Sequence, residues 1–160
     1  MCIPNLLSKA KIPRRLPSEM KKEVKKLKKL KSSSAVLREA YNFIAETFGK
    51  YSRRHMVVAR FFRLFLKDVG ALWSYKYKGD HFLHCLQLNY LLRVLLIKSG
   101  KFKEKDVGLV DTLTLPFSVH QYLIVKVNNK WVDVDVWYSK LGVPFGQHRK
   151  YLFRIWKVIF

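Results

Sequence analysis

The spacing of apolar residues changes period at Gly100, and that change limits what the chain can fold into. Before it, apolar side chains recur three and four residues apart; after it, they tend to alternate. Helical patterns grouped ahead of strand patterns point to an α+β fold, with N-terminal helices packed on a small antiparallel sheet.

Residues 1–17 hold Pro4, Pro13 and Pro17 with little periodicity, which reads as an irregular arm. From Ser18 to Lys31, Met20, Val24, Leu27 and Leu30 form one stripe and lysines fill the rest. That is an amphipathic helix, docked on the domain or lying on an anionic partner. Residues 1–33 are therefore read as a basic arm and helix, and 34–160 as the domain. Leu37, Tyr41, Ile44 and Phe48 predict a helix over Ser34–Phe48. A wide apolar surface predicts a buried helix over Arg54–Asp68, with Gly70 beyond it. Trp73–Lys78 alternates loosely, as a short strand would. Leu86–Lys98 is a strongly apolar helix stopped by Gly100. Strands are expected over Val107–Leu115, Val119–Val127 and Trp131–Trp137, the last two joined by Asn128-Asn129-Lys130. Gly142, Pro144 and Gly146 make a loop, and Tyr151–Phe160 closes the chain as a short helix or strand.

Composition excludes several classes. Hydrophobic residues make up 49% of the 160 residues, enough for a real core, which rules out wholesale disorder. The longest apolar run is broken by Arg93 and ends at Lys98, short of the roughly 18 residues a membrane span needs. No secretory leader is visible, and Cys2 and Cys85 cannot build a disulfide framework, so a cytoplasmic setting is expected. The 32 Lys and Arg against 11 Asp and Glu give a net charge of +21, with 11 basic and 2 acidic groups in residues 1–34. Such a field attracts nucleic acid or another anionic surface, or simply coats a basic protein.

Chemistry concentrates around Cys85. It stands just before an apolar helix, where unpaired N–H groups and the helix dipole favour a thiolate and supply half of an oxyanion hole. If the hairpin turn centres on Asn128 and Asn129, Val127 faces Lys130 and Ile124 faces Asp133. Continued, this register sets Tyr122 against Asp135 and His120 against Trp137. His120, Tyr122 and Ile124 then share a face with Asp133 and Asp135, and Asp135 is the diagonal neighbour of His120. An imidazole and a carboxylate held together are what a thiol nucleophile needs as base and orienter.

A Cys opening an apolar helix, a His on one strand and an Asp on the next resemble the transglutaminase-like (papain-like) superfamily. The matching pieces are Cys85 through Leu91-Leu92-Arg93 to Gly100, His120-Gln121-Tyr122, and Trp131-Val132-Asp133-Val134-Asp135. They span about residues 70–140. The resemblance implies a transglutaminase-like core and acyl chemistry at amide carbonyls through a thioester. Cys85 would be nucleophile, His120 base and acid, and Asp135 orienter. Protein or peptide substrates are implied, and peptidase-like hydrolysis is favoured over cross-linking; no cofactor is required. Trp73 (indole N–H) and Gln87 (carboxamide) are candidates for the second oxyanion donor, against a core role for Trp73 and a solvated helix position for Gln87.

Three other readings compete. His81, His84 and Cys85 also read as metal ligands with His120 or Asp135, although no second Cys/His pair has finger-like spacing. The basic residues, with aromatics in Trp73-Ser74-Tyr75-Lys76-Tyr77-Lys78, suit nucleic acid. The same fold would also suit a catalytically inactive interaction protein. His55 and His148 lie in basic surroundings and read as surface residues.

Overall fold

Helix α4 (Cys85–Lys98) is the axis around which the chain is built. Leu88, Leu91, Leu92, Val94, Leu95 and Leu96 are all fully buried, so the helix is apolar around most of its circumference. A helix of that kind must be covered on several sides. In the computed structural model, which describes residues 10–48, 68–77, 83–114, 118–148 and 153–159, helices cover one side and a sheet another. Gly100 ends α4 with φ +76°, a left-handed conformation that glycine adopts without a Cβ penalty.

The helical side comprises α1 (Ser18–Lys29) and α2 (Ser33–Thr47). Ser32 opens α2 by accepting from the Ala35 N–H at 3.1 Å, a side-chain N-cap. Val36, Leu37, Ala40 and Ile44 face inward from α2, and Met20, Val24 and Leu27 from α1, all within the same core as α4. The stripe read from the sequence of α1 is thus its docking face. Farther along, α3 (Val69–Ser74) is capped by Asp68, which accepts from the Ala71 N–H at 2.7 Å, and runs into a 3-10 turn at Tyr75–Tyr77.

The strands form one four-stranded antiparallel sheet in the order β3-β2-β1-β4: β1 (Val107–Thr114), β2 (Ser118–Val127), β3 (Lys130–Val134) and β4 (Phe153–Ile159). Val107, Leu109, Leu123, Val125 and Val134 join the main core under α4. Val110, Tyr122 and Ile124 form a second, smaller cluster with Trp131 packed on it. Asn128 and Asn129 both take positive φ (49° and 63°), the conformation of a two-residue type I′ turn. That turn sets Val127 against Lys130 and Ile124 against Asp133.

The structure corrects four expectations. Trp73–Tyr77 does not continue a strand alternation: its aromatics sit on α3 and the following turn, and Gly70 lies inside α3. The third strand stops at Val134 instead of Trp137, because Asp135 caps a short helix, α5 (Val136–Ser139). The ladder accordingly ends at Leu123 opposite Val134, so Asp135 and Trp137 have no strand partners. His148 is half-buried rather than on the surface. The C-terminal segment is a strand, β4, beside β1. The helix expected over 54–68 lies, but for Asp68, outside the described residues, as do His55 and His81. No helix among the described residues is long and apolar enough to cross a membrane.

Candidate functional site

Cys85 is the first residue of α4, with His84 as N-cap. Within the helix, the N–H groups of Cys85 and Leu86 have no acceptor, because the first helical bonds begin at Gln87 and Leu88, both to the His84 carbonyl. The thiol is free and partly exposed. Gln87, one turn in, is 1% exposed, and its Oε1 accepts from the His84 N–H at 3.1 Å. It is therefore a buried residue that closes the turn presenting Cys85, not a solvated one.

His120 comes from β2, and two side chains hold the backbone on either side of its ring. Thr112 Oγ1 donates to the His120 carbonyl at 3.0 Å, and Asn89 Nδ2 donates to the Gln121 carbonyl at 2.8 Å. Asn89 lies four residues after Cys85, on the same side of α4. That bond thus ties the helix bearing the thiol to the strand bearing the imidazole. Gln121 Nε2 in turn donates to Asp111 Oδ1 at 2.7 Å.

Asp135 completes the group. Its Oδ2 lies 2.8 Å from His120 Nε2, and its Oδ1 accepts from the Tyr138 N–H at 3.1 Å. One carboxylate therefore caps α5 and orients the imidazole. The Cys85 side chain acts on the same imidazole and, with Asp135, favours its charged form. Burial pulls the His120 pKa down, but the hydrogen bonds from Asp135 and Cys85 and their negative charges override it and push it up to about 10. The Tyr138 ring stands edge-on to the imidazole at 4.6 Å between centroids, with Trp137 at 5.8 Å. Tyr41 of α2 lies beside this cluster; burial raises its phenol and a bond to Ser139 lowers it, while the charge of Asp135 raises it further. At the far end of α5, Lys140 donates to the Phe48 carbonyl, and burial draws its amine down to about 8.

The sequence-predicted residues Cys85, His120 and Asp135 are thus brought together. Trp73 is not among them. Its indole N–H donates to Glu19 Oε2 at 2.9 Å, and its ring stacks on Phe43 and meets Phe48 edge-on. That indole is committed to α1 and the core, which removes it as an oxyanion donor. Asp133 is also elsewhere: its Oδ2 is 2.7 Å from His148 Nδ1, and the His148 ring stacks flat on Tyr122. Among the described residues no three His, Cys, Asp or Glu side chains gather as a metal ion would require. Asn89, Thr112 and Tyr138 were not legible as site residues. The one signal was the pair of amides, Gln87 and Asn89, in the otherwise apolar α4. No family model, curated protein or solved structure matches the chain.

Proposed function

We propose that Cys85, His120 and Asp135 form the site of a thiol enzyme acting on amide carbonyls of a protein or peptide, with hydrolysis favoured over cross-linking. The observation that carries this reading is the buried imidazole–carboxylate pair. Asp135 sits 2.8 Å from Nε2 of His120, and the thiol of a helix-opening cysteine acts on the same ring. The same order of residues underlies the resemblance to the transglutaminase-like superfamily.

The proton balance follows from that geometry. The Cys85 thiolate adds to the carbonyl carbon, and the carbonyl electron pair moves to oxygen, where the N–H groups of the first turn of α4 receive it. The His120 imidazolium gives its proton to the departing nitrogen as the C–N bond breaks, leaving a thioester and a free amine. With the thiolate charge consumed, the neutral imidazole takes a proton from water as its oxygen adds to the thioester carbon. The C–S bond then breaks, the thiolate returns, and a carboxylic acid leaves. An amine in place of water would give the cross-linking reaction.

Alkylation kinetics read by peptide mass spectrometry test this, with Cys2 as an internal reference. Cys85 should react faster than Cys2 at neutral pH and slow markedly in His120→Ala. A Cys85 that reacts like an ordinary thiol, with or without His120, would overturn the reading.

A further inference from the structure

Helix α1 separates its residues by face. Met20, Val24 and Leu27 are buried in the core. Its acids are partnered or covered: Glu19 accepts from Trp73, Lys76 and Tyr77, and Glu23 is buried. Lys26 is paired with Glu39 of α2. Apart from Ser18, every exposed residue of α1 is a lysine. Lys21, Lys25 and Lys28 follow one line along the helix, and Lys22 and Lys29 run beside it. Each row spans about 10 Å at the rise of an α-helix. Arg14 and Arg15, both exposed, lead into it.

We propose that this lysine face docks on the phosphate backbone of a nucleic-acid duplex without reading its sequence. A duplex carries one negative charge per about 1.7 Å of axis, so a rigid row of ammonium groups meets phosphates in many registers. Two features separate this partner from others. The apolar stripe that a surface-lying helix would sink into a bilayer is already spent on Met20, Val24 and Leu27 inside the domain. The exposed residues of α1 itself also include no aromatic ring to stack on unpaired bases and no Asn, Gln or Arg to read base edges.

The test is fluorescence anisotropy of the full chain on a mixed-sequence duplex of about 20 base pairs, between about 50 and about 200 mM salt. Five lysines on phosphates predict a log–log salt slope of about −4 to −5. Changing Lys21, Lys25 and Lys28 together to Gln should flatten that slope by nearly three units. Gln has nearly the helix propensity of Lys, so circular dichroism should be unchanged. The control is Lys105→Gln, Lys126→Gln and Lys130→Gln combined, which removes the same charge from the turn before β1 and from the β2–β3 hairpin. It should shift the slope by less than about one unit. Equal losses in the two variants would mean diffuse charge and overturn the proposal. So would absent duplex binding, tighter binding to a single strand of equal charge, or tighter binding to phosphatidylserine vesicles at matched salt.

Discussion

The molecule holds two imidazole–carboxylate pairs, and they differ in nearly everything but length. His120–Asp135 measures 2.8 Å and His148–Asp133 measures 2.7 Å. Both carboxylates come from the end of β3 or the residue after it, two positions apart. The side chains of the first pair are 6% and 1% exposed; those of the second are 27% and 21% exposed. His120 is acted on by the Cys85 thiol and has an aromatic wall, whereas His148 lies flat on Tyr122. A hydrogen bond of ordinary length therefore does not by itself set the two pairs apart. What distinguishes them is the second partner of the ring and the exclusion of water, which strengthens every charge nearby.

Removing the thiol should separate the pairs most sharply. Cys85→Ala is expected to abolish amide turnover, a loss of at least about a thousandfold, with the circular dichroism spectrum unchanged. Retained turnover would sink the thiol mechanism. Next in size is the comparison of carboxylates. Asp135→Asn should lower kcat by about a hundredfold or more, because the amide no longer holds the imidazole in its working form. Asn still caps a helix well, so α5 should persist. Asp133→Asn should change kcat less than about threefold. If the ranking inverts, the pairs have been assigned the wrong way round.

Protonation gives a third contrast. His120 is raised in the folded protein, so its contribution to stability is complete below the ordinary histidine value near 6.5 and is lost as pH climbs through about 10. Lys140 works in the opposite sense: its depressed amine penalises the folded state below about 8, and the penalty fades as pH rises towards its ordinary value. The difference between variant and wild type is therefore the informative quantity. In urea unfolding, wild type should lose more stability between pH 7 and pH 9.5 than His120→Gln does. Parallel curves for wild type and His120→Gln would show that the buried imidazole is not held charged. The smallest effect expected on kcat is that of His148→Gln, within about twofold.

How much of this was readable depended on whether local chemistry settled the geometry. The Asn128-Asn129 turn fixed the hairpin register, and with it the parity that sets His120 on the face of Asp133. Gly100 marked the change from helix to strand. Asp135 was found by extending that register, but β3 ends a residue before it. A carboxylate before Val-Trp-Tyr-Ser reads equally as a strand residue or an N-cap, and the cap prevailed. Trp73 read as either a core residue or an oxyanion donor, and the core prevailed: its ring packs on Phe43 and Phe48 and its N–H goes to Glu19. Gln87 and Asn89 were hidden for another reason. An amide on an apolar helix shows its partner only when the facing backbone is in place, and those partners lie at the His84 N–H and the Gln121 carbonyl.

The double duty of Asp135 has a consequence for motion. Helix α5 is four residues long, too short to be stable alone, and its cap is the same carboxylate that steadies His120. Unwinding α5 therefore frees one carboxylate oxygen and loosens the imidazole in the same event, while β2, β3 and α4 stay folded. The Tyr138 amide, protected only while that cap holds, then becomes a clock for the site. Its hydrogen-exchange rate counts how often the His120–Asp135 pairing comes apart, in a local opening far cheaper than global unfolding.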